Sequence, residues 1–203
     1  MVPRLKWCLV VAVALGFCSN LCGWPARAQN SAPAAGQGIE DKVQVCAGCH
    51  GADGKPSDKT IPVIWGQQAG YLYIQLRDFK RGDRKNDIMQ PIASPMQRDD
   101  MQAIAEYFAA KPWPDLGQPR ASKDVAERAS SANRSVGCTG CHLDHFQGDS
   151  SVPRLAGLSR EYLTQQMNDF RTRARGNNPG MSDLMLATAP DDIAALAEYL
   201  AGL

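Results

Sequence analysis

Two short stretches, Cys46-Ala47-Gly48-Cys49-His50 and Cys138-Thr139-Gly140-Cys141-His142, decide how the rest of this 203-residue chain is read. C-x-x-C-H is the attachment sequence of c-type haem. The spacing has a chemical reason. Two thiols held two residues apart add across the two vinyl groups of the porphyrin as thioethers, and the adjoining histidine is carried under the iron as its proximal ligand. Four thiolates could instead hold zinc, and C-x-x-C pairs also serve as disulfides or redox dithiols. Neither use explains why a histidine follows both pairs.

The surrounding sequence repeats with the motif. Cys46 and His50 recur as Cys138 and His142, 92 residues on. Pro62, Gly66, Tyr71, Gln75 and Phe79 recur as Pro153, Gly157, Tyr162, Gln166 and Phe170 at an offset of 91. Met89, Asp100 and Tyr107 recur as Met181, Asp192 and Tyr199 at 92. The chain therefore reads as two copies of one domain, 36–110 and 124–203. The Pro- and Gly-rich stretch 111–123, opening Lys111-Pro112-Trp113-Pro114, is the linker between them.

Composition sharpens this picture. The chain is 44% hydrophobic and 21% charged, proportions that argue against disorder, and its 22 basic against 21 acidic residues argue against nucleic-acid binding through bulk positive charge. Residues 1–28 read as a cleaved secretory signal: Arg4 and Lys6 at a basic start, an apolar stretch over 9–17, and Ala26-Arg27-Ala28 as a small-x-small cleavage site. The apolar run is shorter than the ~20 residues a membrane span needs. Removing the signal takes three of the 22 basic residues and none of the 21 acidic ones, leaving 19 against 21. Cys8, Cys18 and Cys22 leave with it, so every remaining cysteine lies in a C-x-x-C pair.

Helical periodicity dominates both copies, and no alternating run long enough for a substantial sheet is present. Helices are expected over 39–49 and 125–141 leading into the motifs, over 70–81 and 160–173, and at the end of each copy. The last pair carries Met101, Ile104, Ala105 and Phe108, and Ile193, Leu196, Ala197 and Leu200, at i, i+3, i+4, i+7. Asp99 and Asp100, like Pro190, Asp191 and Asp192, suit helix starts. The expected fold class is all-α.

In these elements the sequence resembles the c4-type dihaem cytochromes, tandem class I cytochrome c domains each wrapped around a covalently bound haem c. The resemblance covers nearly all of the chain after the signal. It runs through C-x-x-C-H, Pro-x-x-x-Gly, Tyr-x-x-x-Gln-[Leu/Met]-x-x-Phe, a methionine loop, and Asp-[Ile/Met]-x-x-[Leu/Ile]-Ala-x-Tyr.

The resemblance implies two haem c groups, held through Cys46 and Cys49 and through Cys138 and Cys141, with His50 and His142 as axial ligands. It also implies a methionine on the sixth position of each iron. Met89 and Met181 each lie 39 residues beyond their histidine, the agreement that selects them; Met96 and Met185 are the competitors. Met101 and Met167 read as core filler. Thioether ligation favours ferrous iron and raises the reduction potential relative to bis-histidine. Pro62 and Pro153 stand where the family's proline carbonyl accepts the histidine Nδ1–H. Tyr71, Tyr162, Phe79 and Phe170 pack at the porphyrin edge or simply in the core.

Departures between the copies are few. Trp65 corresponds to Ala156, Leu143 stands where Gly51 follows the first motif, and His145 is an extra surface or loop histidine. The basic residues Lys80, Arg81, Arg84 and Lys85, then Arg171, Arg173 and Arg175, are solvated cations near helix ends or contacts to propionates or partners. The repeat makes Arg84 and Arg175 equivalent, which favours propionates for those two.

The implied function is a periplasmic electron carrier, without catalytic residues of its own. It would pass electrons from a quinol-oxidising complex or dehydrogenase to a terminal oxidase, with peripheral membrane association allowed and no nucleic-acid partner. The alternative is the electron-accepting cytochrome subunit of a periplasmic dehydrogenase complex acting on sulfur compounds or alcohols.

Overall fold

A computed structural model of the chain describes residues 38–203. The signal read over 1–28, with its cleavage point near Ala28, lies outside the described residues. Among the described residues there are nine helices and no strand, and the one β-type contact is an isolated bridge between Asp149 and Val152. The all-α expectation holds.

The first half contains α1 (Ile39–His50), α2 (Ala69–Arg81), α3 (Met89–Ala93) and α4 (Arg98–Ala109). The second contains α5 (Lys123–Val136), α6 (Thr139–His142), α7 (Arg160–Arg171), α8 (Pro179–Leu186) and α9 (Pro190–Ala201). Acidic residues open α1 and α4, where they complement the helix dipole. Helix α2 packs on α4 as α7 packs on α9, and α1 meets α4 as α5 meets α9.

The buried stripe of α4, Met101, Ile104, Ala105 and Phe108, has the periodicity read from the sequence. It closes over Val43 of α1 and Leu72 of α2. In the second half Ile193, Leu196, Ala197 and Leu200 of α9 meet Ala129 and Ala132 of α5 and Leu163 and Phe170 of α7. A matching backbone bond locks each half: Gly66 N–H donates to Phe108 O at 2.8 Å, and Gly157 N–H to Leu200 O at 2.9 Å.

Three sequence expectations need correction. The helix expected over 125–141 is two helices, because Gly137 takes a left-handed conformation (φ 78°) that ends α5 before the second motif begins. The helix expected over 160–173 ends at Arg171, and Arg173 sits at φ 61°. The methionine stretches, read as loops, also contain the helices α3 and α8.

The linker carries Trp113 onto the second half. Its ring lies 4.4 Å from the Arg154 guanidinium and fills the space a side chain at Gly157 would need. The halves touch directly as well. Gln67 exchanges two hydrogen bonds with the Arg154 backbone, at 2.9 and 2.7 Å. Gln68 donates to Gln147 O at 3.0 Å, and the Ser159 hydroxyl donates to Lys59 O.

Candidate haem sites

Each motif histidine ends a short path from helix to proline carbonyl. His50 closes α1 and is 8% exposed; His142 closes α6 and is 6% exposed. His50 Nδ1 lies 2.8 Å from Pro62 O, and His142 Nδ1 lies 2.9 Å from Pro153 O. A carbonyl can only accept, so Nδ1 carries the proton and the lone pair is left on Nε2, the tautomer a metal ligand needs. Burial lowers the pKa of both imidazoles, against the opposing effect of the carbonyl bond, and keeps them neutral.

The chain turns sharply after each histidine. Gly51 stands at φ 87°, and a Cβ there would lie 2.0 Å from Lys55 O. Leu143 holds the same place in the second half at φ 66°, ψ 169°, a conformation that costs a leucine strain.

None of the four motif cysteines is paired in a disulfide. Cys49 and Cys141 are exposed, whereas Cys46 and Cys138 are half-buried and have thiol pKa values raised by that burial. Beside α1 lies a mostly apolar cleft of about 390 Å³, walled by Val45, Pro91, Ile92, Met96 and Ile104, with the Lys42–Asp100 ion pair at its edge. Two thiols and an Nε2 lone pair, repeated in each half, are the donor set that covalent haem c requires.

Burial separates the methionines of the second half but not those of the first. Met185 is 2% exposed and belongs to the second core, and Met96 packs against the first. Met89, at the start of α3, is half-buried like Met96, and Met181, near the start of α8, is half-buried at the edge of the second core. Met101 is core, as expected, and so is Met167.

Tyr71, Tyr162, Gln75 and Gln166 acquire a role that the repeat alone did not show. Arg84 and Arg175 are buried, 9% and 7% exposed, at the junction of the halves. Arg84 donates to Gln75 of its own half at 2.8 Å and crosses to Tyr162 Oη at 3.1 Å and Gln166 Oε1 at 2.7 Å. Arg175 donates to Gln166 at 2.8 Å and crosses to Tyr71 Oη at 3.2 Å and Gln75 Oε1 at 2.9 Å. Each guanidinium also stacks on its own half's phenylalanine, Phe79 at 4.7 Å and Phe170 at 4.3 Å. Burial alone would raise the Tyr71 phenol, but the Arg175 and Arg84 charges outweigh it and bring the pKa to about 8.

Sequence reasoning missed Asn86 and Asn178 entirely. Asn86 Oδ1 accepts from Met89 N at 2.8 Å, and Asn178 Oδ1 accepts from Met181 N at 3.1 Å. The signal was present as an Asn three residues before each methionine. His145 is exposed, beside Asp144, as expected of a surface histidine.

The helical fold and these paired thiol–histidine sites define a cytochrome c of class I, whose cofactor is covalently bound haem c. Residues 34–110 match the family model described as Cytochrome c. The chain is 36% identical over 177 residues to the thiosulfate dehydrogenase electron acceptor of Stutzerimonas stutzeri (strain A1501), covering 82% of each. It is 32% identical over 188 residues to cytochrome c4 of Azotobacter vinelandii, covering 84% of this chain and 88% of that one. The structure of reduced recombinant cytochrome c4 from Pseudomonas stutzeri superposes with a TM-score of 0.72 at 30% identity, covering 81% of this chain and 96% of the other. The chain belongs to the cytochrome c4 family and is an electron carrier.

Proposed function

We propose that this chain carries two haem c groups, one in each of the domains 36–110 and 124–203, and moves electrons in the periplasm after loss of residues 1–28. The observation that carries the two-haem reading is the duplicated imidazole–proline bond at 2.8 and 2.9 Å, which prepares the same Nε2 lone pair twice. Cys46 and Cys49 hold the first haem, Cys138 and Cys141 the second. His50 and Met89 are the axial ligands of one iron, His142 and Met181 those of the other. The half-buried position of Met181 against the buried position of Met185 supports the choice in the second half, and in the first half, where Met89 and Met96 are both half-buried, the matching 39-residue spacing from the histidine supports Met89.

When bound, the haem supplies the one-electron couple of its iron. The protein's part is to orient it. The Pro62 and Pro153 carbonyls fix the plane and basicity of the imidazoles. A methionine sulfur from Met89 or Met181 held on the iron would exclude small ligands. Arg84 and Arg175 would be the buried cations available to haem propionates. Among the described residues neither guanidinium has a carboxylate partner, and a buried charge left without one is costly.

The donor is a quinol-oxidising complex or a dehydrogenase and the acceptor a terminal oxidase. A second reading, electron acceptor of a dehydrogenase that oxidises sulfur compounds, is favoured by the 36% identity to a thiosulfate dehydrogenase electron acceptor across 82% of the chain. No helix among the described residues is long and apolar enough to cross a membrane.

Spectroelectrochemical titration tests the carrier reading. Two one-electron waves and a thioether–iron band in the oxidised form are expected, with Met89→Ala and Met181→Ala each removing part of that band. Turnover of small substrates by the purified protein alone would count against it. Efficient reduction only in the presence of thiosulfate and its dehydrogenase would select the second reading.

A further inference from the structure

The methionine segments are built differently in the two halves, yet one contact is the same in both. In the first half Asn86 is followed by Asp87 and Ile88, and the helix begins at Met89 itself. In the second Asn178 is followed by Pro179 and Gly180, and the helix begins at Pro179, two residues before Met181. The intervening residues and the helix start are not shared. Even so, Asn86 Oδ1 takes the Met89 N–H and Asn178 Oδ1 takes the Met181 N–H. The backbone carbonyl of each asparagine also accepts from the residue after the methionine, Gln90 N at 3.0 Å and Ser182 N at 3.1 Å. Each asparagine thus holds the methionine and its successor from the same side.

A methionine side chain has three free torsions and is a poor anchor on its own. Fixing its backbone N–H removes one source of freedom from the sulfur. Groups that orient a ligand in this way commonly decide metal affinity although they never touch the metal.

We propose that Asn86 and Asn178 are positioning residues for the sixth ligand of each haem iron, holding the backbone of Met89 and Met181 so that the sulfur stays on the metal. This rests on the reading of those methionines as axial ligands. The two halves make the proposal separable, since each asparagine acts on one haem.

The test uses the purified holoprotein and the variants Asn86→Ala, Asn178→Ala, Asn178→Asp and Met181→Ala. Asn178→Ala is expected to weaken the thioether–iron band of one haem, to raise the affinity of that ferric haem for added imidazole by about tenfold, and to lower one potential while leaving the other. Asn178→Asp, which keeps an oxygen acceptor, is expected to restore the band. Asn86→Ala is expected to do the same to the other haem. If alanine variants do not accumulate as holoprotein, Asn86→Gly and Asn178→Gly, which lack the acceptor but are tolerated at a helix start, carry the test, with a weakened band expected. Variants that melt at lower temperature with band and imidazole affinity unchanged would overturn the proposal, since that is what a purely structural turn would do. If Met181→Ala itself leaves the band intact, the ligand reading fails first. If Met181→Ala removes it and Asn178→Ala does not, only the positioning role fails.

Discussion

Arg84 and Arg175 make the same set of bonds in opposite directions across the molecule. Arg84 reaches Gln166 of the second half at 2.7 Å, and Arg175 reaches Gln75 of the first at 2.9 Å, while each also holds the glutamine of its own half. Both glutamines therefore accept from both arginines. One polar cluster, related to itself by the internal repeat, ties the two halves together.

That cluster sets the first prediction. Arg175→Ala removes the bonds that Tyr71, Gln75, Gln166 and Asn177 receive from it and leaves the two glutamines with Arg84 as their one remaining arginine donor. A loss of about 2–3 kcal/mol is expected, read in denaturant unfolding of the holoprotein, together with a fall in at least one reduction potential as a cation near the haems is lost. Lys85→Ala, at an exposed position one residue from Arg84, should change neither.

The acid limb of stability follows from Asp100. The Lys42 ammonium at 2.5 Å and the Gln97 N–H at 3.1 Å hold its carboxyl below the ordinary aspartate value. A carboxyl with a depressed folded pKa stabilises above its unfolded pKa, near 3.8, and loses that contribution as pH falls through the lower folded value. Because the pair is partly solvated, Asp100→Asn should cost only about 0.5–1 kcal/mol at neutral pH. The difference from the parent should vanish in acid. Unfolding midpoints at pH 7 and below pH 3 check this.

Leu143 offers a gain. It stands at φ 66° where the first half places Gly51 at φ 87°. Leu143→Gly relieves strain of about 1–3 kcal/mol and gives back about 0.5–1 kcal/mol in backbone entropy, so a net stabilisation of about 1 kcal/mol is expected in thermal or denaturant unfolding. The converse, Gly51→Leu, drives a Cβ into the Lys55 carbonyl and should reduce the yield of folded protein.

Burying a uniform apolar face leaves a strong mark on a sequence, which is why α4 and α9 were legible to the residue: Met101, Ile104, Ala105 and Phe108, and Ile193, Leu196, Ala197 and Leu200, are all buried. The cysteine–histidine spacing was legible because covalent chemistry fixes it. The break at Gly137 was not, since a single left-handed residue inside a helical pattern disturbs the periodicity little. The short helices at Met89 and Met181 are too brief to show a period at all. The repeat exposed Arg84 and Arg175 as equivalents but could not show that their bonds cross between halves. Contacts spanning 78 to 104 residues between unpatterned polar side chains depend on how the domains dock. Asn86 and Asn178 escaped notice for a related reason, being short polar residues whose role is one backbone bond.

The central claim, one covalent haem in each half of the chain, is tested most directly by counting haems on intact purified protein by mass spectrometry under denaturing conditions, with and without the motif thiols. Two haems per chain are expected, falling to one in Cys46→Ala/Cys49→Ala and to one in Cys138→Ala/Cys141→Ala. A parent protein carrying one haem or none, or haem released on denaturation, would contradict it.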